Sequence, residues 1–353
     1  MKKKSIALIL AGMMAALTAC GSSAAQPAQP AAQPQQEAAA EEKKEEAAPA
    51  AESDASGKTF KIGVCQLIQH DALDAATQGF VDALKEEFGD NVEIDVQNAQ
   101  GESTTCATIV TGFVSNGYDL IMANATPALQ AAASATSDIP ILGTSVTDYG
   151  TALGMSDFSG TTGINISGTS DLAPIDQQED MILELVPDVK KVAILYCSSE
   201  PNSKFQADMI KGYLEEDGIA FEEFTFSDSN DIQSVATQAV SGADAVYIPT
   251  DNTAASNMTL ISNITAPAGI PVICGEQNMC IKGGLATLSI SYYDLGTATG
   301  KQAIEILKNG ADVSAMEIEY ASATTKMYNA ANAETIGANV PEDYVAIEGS
   351  ESE

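Results

Sequence analysis

The chain has 353 residues and carries 16 lysines and arginines against 49 aspartates and glutamates, a formal net charge of −33. This acidic surplus argues against nucleic acid as a partner, because phosphate binding needs clustered basic side chains. Every one of the basic residues is lysine, so the bidentate guanidinium clamp for carboxylates and phosphates is excluded. An anionic ligand group must therefore be met by hydroxyls, backbone N–H groups or lysine.

The first nineteen residues predict an export signal. Three lysines at 2–4 precede an apolar run at 5–17, which is shorter than the ~20 residues of a membrane-spanning helix. The run ends in Leu17-Thr-Ala-Cys20-Gly21, which is similar to a bacterial lipobox, so we expect acylation of Cys20 and a membrane anchor. A soluble secreted protein with an incidental Cys20 is the alternative. Residues 20–58, rich in Ala, Gln, Pro and Glu, predict a disordered tether.

A β-α alternation runs through the rest of the chain twice. Apolar runs typical of buried parallel strands begin the two copies at Phe60–Cys65 and Val192–Tyr196, and helical patterns follow each strand. The fold class is therefore predicted as α/β, with two doubly wound Rossmann-like lobes joined by a multi-strand hinge. We expect lobe I at 59–170 plus about 292–313, and lobe II at 171–291 plus about 314–345.

Polar residues follow many of the predicted strands. The carboxyl ends of parallel strands, where helix N-termini also point, are where open α/β sheets hold ligands. The candidate ligand-binding residues are Gln66, His70, Asp71, Asn98, Thr126, Thr144 and Ser145 in the first copy, Ser198, Glu200, Asn202, Ser203, Thr250, Asp251, Asn252 and Glu276 in the second, and Tyr292 at a crossing. Such hydroxyls, amides and carboxylates suit a small polar ligand bound between two lobes.

Several candidates have a structural alternative. Asp251 and Glu276 could pair with a ligand ammonium group, but Asp251 could equally cap a helix. His70 is predicted to line the cleft, with a surface or N-cap role as the alternative. Thr126 precedes a proline at a helix start, so it can cap that helix while N–H groups remain for a carboxylate. For Tyr292, packing at the hinge competes with ligand stacking.

Catalysis is not predicted. His70 is the only histidine, no Gly-x-Ser-x-Gly elbow surrounds a serine, and no glycine-rich phosphate loop follows a strand. A single histidine also disfavours a metal site, and no cofactor is expected. Five further cysteines, an odd number, are predicted to be buried structural thiols, with redox or metal-binding roles as the alternative.

Seven segments together carry a family resemblance that spans about residues 60–310. They are His70–Ala75, Gln97–Gly101, Ala125–Ala128, Thr144–Asp148, Val246–Thr253, Gly284–Thr287 and Tyr292–Gly296. In order and spacing they resemble substrate-binding lipoproteins of ABC importers, most of all the tryptophan/tyrosine-type proteins with a type I periplasmic-binding fold. The resemblance implies a monomer that captures a small ligand, such as an amino acid, by hinge closure and delivers it to permease subunits. A ligand sensor for a signalling receptor, or a binder of a nucleoside or sugar, remains the alternative.

Overall fold

The computed structural model describes residues 58–321 and 323–347. Its strands are β1 (Phe60–Gln66), β2 (Val92–Asn98), β3 (Leu120–Asn124), β4 (Ile141–Val146), β5 (Ile166–Ser170), β6 (Lys191–Cys197), β7 (Ala220–Phe226), β8 (Ala245–Ile248), β9 (Val272–Cys274), β10 (Ala286–Ser289), β11 (Glu319–Tyr320), β12 (Thr325–Tyr328) and β13 (Val345–Ala346). Its helices are α1 (Asp71–Phe88), α2 (Ser103–Ser115), α3 (Thr126–Ala135), α4 (Tyr149–Leu153), α5 (Ile175–Leu185), α6 (Pro201–Glu216), α7 (Ile232–Ala239), α8 (Asn252–Ser256), α9 (Met258–Thr265), α10 (Gln277–Ile281), α11 (Tyr292–Asn309) and α12 (Ala330–Ile336). The predicted export signal, the acylation of Cys20 and the tether up to residue 57 lie outside the described residues.

Two sheets organise these elements. The first has the strand order β11-β5-β4-β3-β1-β2, and all its pairings are parallel. The second has the order β13-β12-β10-β9-β8-β6-β7 and is parallel except where β12 runs antiparallel to β10. The predicted α/β class with two doubly wound lobes is confirmed. We call the part built on the first sheet the first lobe and the part built on the second sheet the second lobe.

The apolar patterns explain why these elements form. All five residues of β3 are buried, as expected for a central parallel strand covered by helices on both faces. Helix α1 buries Leu73, Phe80 and Leu84 on one face, which are three of the apolar positions that its helical period predicts. Helix α11 ends at Asn309 and is capped by Gly310, whose φ of +68° is the left-handed conformation that glycine adopts at a helix C-terminus.

The structure differs from the sequence pattern at the strands near one edge of each sheet. Strand β5 begins only at Ile166, although an apolar alternation starts at Gly163, because Gly163 has a φ of +67° in a bend. Strand β11 belongs to the first sheet, although residues after about 313 were expected in the second lobe. Strands β12 and β13 were not predicted at all, because their short, partly exposed sequences carry little periodic signal.

The chain passes between the sheets in three places, after β5, after β10 and after β11. The second passage leads directly into α11, which packs on α1 of the first lobe. Three neighbouring passages are typical of a hinge that lets two lobes rotate about their shared edge. The carboxyl ends of both parallel sheets, where the candidate residues were predicted, flank this hinge.

Candidate functional site

In the first lobe, backbone strain is concentrated at the ends of neighbouring strands. The non-glycine residues with positive φ among the described residues are Gln100 (+57°), Ala125 (+92°) and Ser145 (+54°). They follow β2, follow β3 and lie within β4, respectively. Such conformations cost free energy and persist where the surrounding structure enforces them, often at binding sites. The strain therefore marks the carboxyl edge of the first sheet as a candidate site.

Two hydroxyls at this edge are buried without a partner. Thr126 is 2% exposed and Ser145 is 6% exposed, and neither Oγ atom forms a hydrogen bond within the described part of the chain. Thr126 begins α3, with Pro127 in the first turn, so the partly positive helix N-terminus lies beside its hydroxyl. Buried hydroxyls without partners are costly unless a ligand completes them. These groups can donate to a carboxylate.

In the second lobe, two buried carboxylates hold the strand ends together. Asp251 accepts hydrogen bonds from the backbone N–H groups of Ala254 and Cys197 and from the hydroxyl of Ser203, each at 2.7 Å. Burial, followed by the nearby Glu200, raises the pKa of Asp251, while these three donors lower it. Asp251 therefore caps α8, which is the structural alternative raised for it.

Glu200 accepts five hydrogen bonds, all of them within the second lobe. The donors are the backbone and side-chain amides of Asn252, the N–H and hydroxyl of Thr253, and the side-chain amide of Asn202. Glu276, 3% exposed, accepts from the N–H groups of Asn278 and Met279 and caps α10. Burial raises the pKa of Glu276 to about 7.

The start of α6 carries a buried acceptor without a partner. Asn202 is buried, and its Nδ2 donates to the carbonyl of Thr250 at 2.9 Å, which fixes the orientation of the amide. Its Oδ1 has no hydrogen-bond partner among the described residues. Asn202 thus offers an unpaired acceptor in the second lobe, whereas Thr126 and Ser145 offer unpaired hydroxyls in the first lobe.

Contacts between the lobes show that the cleft is closed. His70 Nε2 lies 3.2 Å from Asn252 Oδ1, and Gln206 Nε2 donates to Thr147 Oγ1 at 3.3 Å. The hydroxyls of Thr147 and Thr250 are 3.5 Å apart, and Gln206 also donates to Thr250. His70 and Thr147 lie just after strands of the first sheet, whereas Thr250 and Asn252 lie just after a strand of the second sheet. The carboxyl edges of the two sheets therefore face each other across a narrow gap.

At the outer edge of the gap, Asp71 forms an ion pair of 2.7 Å with Lys282. At the hinge, the hydroxyl of Tyr292 donates to Asp171 at 2.8 Å, and Thr147 donates to the same carboxylate at 3.0 Å. Burial raises the pKa of Asp171, while these two hydrogen bonds lower it. Tyr292 thus links the first and second passages of the chain.

A cavity of about 580 Å³ lies on the hinge itself. Its lining includes Thr169, Ser289, Tyr292, Tyr293, Glu319 and Tyr320. Of the sixteen candidate residues, Tyr292 lines this cavity. The other fifteen lie near strand ends and helix starts.

The remaining candidates are satisfied by the protein or exposed. Gln66 bonds to Asp74 and Thr77, and Thr144 bonds to Thr169. Asn98 and Ser198 are exposed, and each bonds to nearby backbone. Whether any of the sixteen residues contacts a ligand stays a prediction.

Asp171 and Gln206 were absent from the predicted set. Gln206 follows Asn202 by one helical turn, so the periodicity of α6 could have placed both on one face. Asp171 gave no such signal, because its partners are distant in sequence.

No group of three or more potential metal ligands occurs among residues 58–321 and 323–347. In the same ranges, no helix has the length and apolar character required to cross a membrane. All five cysteines of this part are buried and free.

Comparison with known proteins identifies similar chains. A family model described as ABC transporter substrate binding protein matches residues 61–350. A tyrosine-binding protein of Clostridioides difficile (strain R20291) is 39% identical over 256 residues, which cover 72% of this chain and 74% of the relative. The structure of an ABC domain from Streptococcus pneumonia in complex with L-Trp is 36% identical, with a TM-score of 0.77 over 81% of this chain and 97% of that chain.

A ligand-free, open structure of a substrate-binding protein with adhesive properties from Clostridium difficile is 38% identical, with a TM-score of 0.63 over 82% of this chain and 99% of that chain. Identity and coverage are nearly the same as for the L-Trp complex, but the TM-score is lower. The overall structure is therefore more similar to that of the complex. The predicted type I periplasmic-binding fold is confirmed.

Proposed function

Because the chain belongs to the ABC transporter substrate-binding protein family, we propose that it captures an aromatic amino acid between its lobes and delivers it to an importer. Proteins of this family bind solutes outside the cytoplasm and are not enzymes in general. The proposed ligand is supported by the relatives, one a tyrosine-binding protein and one solved with L-Trp. We expect the protein to act as a monomer that docks on permease subunits.

One observation carries the proposal: buried polar groups without hydrogen-bond partners lie at strand ends and helix starts of both lobes. The hydroxyls of Thr126 and Ser145, beside the N-terminus of α3, suit a carboxylate. The unpaired acceptors on Asn202 and His70 suit an ammonium group. A zwitterion would satisfy both sets, and the relatives favour it over a sugar or a nucleoside, whose hydroxyls also donate and accept.

Closure of the hinge provides the capture step. Ligand contacts to both lobes stabilise the closed state relative to the open one, so binding shifts the population towards closure. The lobe division near residues 170, 291 and 320 and the hinge motion itself are part of this proposal.

Calorimetry and thermal unfolding test the ligand class. L-Tryptophan and L-tyrosine should each raise the melting temperature and give a saturable binding isotherm, because a ligand that binds only the folded state stabilises it. Uridine and D-glucose serve as controls for the alternative ligand classes and should give neither. Stabilisation by either control, with no response to the two amino acids, would overturn the proposal.

We also propose that Cys20 is acylated and that residues 20–58 tether the binding lobes to the membrane. The lipobox-like segment and the low-complexity composition support this anchor. Cys20→Ala should abolish labelling by an alkyne fatty-acid probe in cells and release the protein into the medium or periplasm. Unchanged labelling of the variant would contradict the anchor.

A further inference from the structure

His70 joins the two lobes without capping its own helix. It occupies the N-cap position of α1, but its side chain forms no capping hydrogen bond. The residue is 7% exposed, and its ring reaches across the cleft to Asn252, the first residue of α8. Its second nitrogen, Nδ1, is buried and has no partner among the described residues. His70 is therefore not a surface residue, and only its backbone, not its side chain, takes the N-cap role.

A chain of hydrogen bonds determines which ring nitrogen carries the proton. Asn252 Nδ2 lies 2.7 Å from the Glu200 carboxylate, which can only accept while ionised, so the amide nitrogen must face Glu200. The Asn252 oxygen then faces His70, and Nε2 must donate to it. In the neutral ring, Nδ1 is consequently unprotonated, so it can accept a hydrogen bond but cannot donate one.

Charged residues from each of the neighbouring helices lie near the ring. Asp74 on α1 and Glu200 before α6 favour a positive charge there, whereas Lys282 after α10 opposes it. Asp71 and Glu276 lie beside Lys282, and Asp251 lies beside Glu200. Burial outweighs these charges and holds the pKa of His70 below 6.5 in the closed state, so the ring is neutral at pH 7.

We propose that His70 Nδ1 accepts a hydrogen bond from the ammonium group of the bound amino acid, with Asn252 and Glu200 as positioning residues that fix the ring tautomer. This inference rests on the proposed function. A ligand carboxylate cannot use this nitrogen, because neither group has a proton to donate. The ligand is thus oriented with its carboxylate at Thr126 and Ser145 and its ammonium group at His70.

Two substitutions distinguish the role of Nδ1 from that of Nε2. In His70→Gln the amide nitrogen is as many bonds from Cα as Nε2, so the bond to Asn252 can be kept while nothing replaces Nδ1. In His70→Asn the amide oxygen corresponds to Nδ1, so an acceptor remains while the bond across the cleft is lost. We expect His70→Gln to weaken L-tryptophan binding by about tenfold or more, and His70→Asn to weaken it less.

The opposite ranking, or equal losses, would show that His70 acts only through the bond between the lobes. Thermal unfolding of both variants without ligand verifies that they are folded.

Removing the ammonium group from the ligand gives a second measurement. The ratio of the affinities for L-tryptophan and indole-3-propionate should be at least about fivefold smaller in His70→Gln than in the parent protein. An unchanged ratio would overturn the proposed contact.

The pH dependence of affinity tests whether His70 is buried as a neutral ring in the ligand-bound state. Opening exposes the ring and returns its pKa towards 6.5, so the open state binds the proton more tightly than the ligand-bound state. The contribution of His70 to affinity should be constant above about pH 7.5 and fall as the pH drops through 6.5, by up to about tenfold per unit. Both substitutions remove this titrating group but leave Glu276 and Asp251, so the profile of the parent protein should be steeper than that of either variant; parallel profiles would contradict the proposal.

Since His70 is the only histidine of the chain, ¹⁵N-histidine labelling of the untagged protein reports this ring alone. In the L-tryptophan complex we expect the Nε2–H tautomer, and an Nδ1–H tautomer would exclude the proposed contact. If neither L-tryptophan nor L-tyrosine binds the parent protein, the proposed function itself fails and this inference with it. If they bind but the tautomer, ratio and pH results disagree, only the role of His70 fails.

Discussion

The buried polar residues of the cleft differ in whether the protein itself satisfies them. Asp251, Glu200 and Glu276 accept several hydrogen bonds each from their own lobe. Thr126 and Ser145 present hydroxyls without partners. Because a satisfied group gains little from a ligand and an unsatisfied one gains much, the second set is where substitutions should affect binding most.

The hydroxyl of Thr126 provides the first prediction. Thr126→Val keeps the shape but removes the hydroxyl, so affinity for L-tryptophan should fall by about 1–3 kcal/mol, roughly five- to 150-fold. The stability of the unliganded protein should hardly change, because this hydroxyl has no partner there. Thr126→Ser, which retains the hydroxyl, is the matched control and should bind within about threefold of the parent. Calorimetry on the three proteins measures these affinities. Equal losses of affinity in both variants would contradict a role of the Thr126 hydroxyl in binding.

Asp251 provides the second prediction. Backbone N–H groups point at both oxygens, that of Ala254 at Oδ1 and that of Cys197 at Oδ2. In Asp251→Asn the amide nitrogen must face one of these donors whichever way it turns. The free energy of unfolding should therefore fall by about 1–3 kcal/mol, measured by denaturant unfolding without ligand.

The control is Asp148→Asn, which caps α4 through one oxygen that accepts from Thr151 at 2.6 Å. Asparagine can keep that single bond, and such cap exchanges are nearly neutral. If Asp251→Asn were as stable as the parent but bound L-tryptophan at least about tenfold more weakly, Asp251 would be a ligand contact, as the sequence also allowed.

At the level of elements, close approach of α1 and α11 fixes the hinge to the first lobe. A Cβ atom added at Gly296 would overlap the backbone carbonyl oxygen of Ala76, and one added at Gly79 would overlap that of Tyr293. Both glycines therefore permit a backbone contact that any side chain would prevent. Since α11 follows directly on the second passage of the chain, this contact positions Tyr292 against Asp171.

Two glycine substitutions test this packing. Gly296→Ala should lower the free energy of unfolding by about 1–3 kcal/mol, because the helices must separate. Gly112→Ala in α2 is the matched control, since an added Cβ there meets no atom within 4 Å. It should stabilise the protein by about 0.5–1 kcal/mol through helix propensity. The same sign for both variants in denaturant unfolding would contradict the proposed packing.

For the whole molecule, closure brings few charges together across the cleft. The pair of Asp71 and Lys282 is one such contact, with side chains 56% and 33% exposed. Water screens a pair this exposed, so it should favour closure by no more than about 1 kcal/mol. Closure must then depend mainly on the ligand and on buried contacts such as that of His70 with Asn252.

Asp71→Asn removes the ion pair without a large change of shape. Affinity for L-tryptophan should fall by less than about fivefold at low salt. In about 0.5 M NaCl the parent and the variant should bind alike, because salt screens exposed charges. Calorimetry at two ionic strengths measures both values. A loss above about tenfold, or one that salt does not reduce, would indicate that Asp71 contacts the ligand directly.

The two-lobed fold could be predicted because its determinants are periodic. Local apolar patterns predict the strand at Leu120–Asn124 and the buried face of α1. The same alternation of strands and helices occurs a second time in the chain, which implies two parallel sheets. The short strands at Glu319–Tyr320 and Thr325–Tyr328 could not be placed in this way. Their membership depends on which sheet edge is free, which is a property of the assembled lobes.

The candidate site was only partly accessible to the same reasoning. Residue type and position at strand ends identified Thr126, Asn202, Asp251 and His70 as polar groups near the cleft. The sequence alone determined the fold class, the family resemblance and the edge of each sheet where polar groups collect. The tertiary structure decided which of these groups the protein itself satisfies, because hydrogen bonds such as that of Cys197 with Asp251 join residues far apart in the chain.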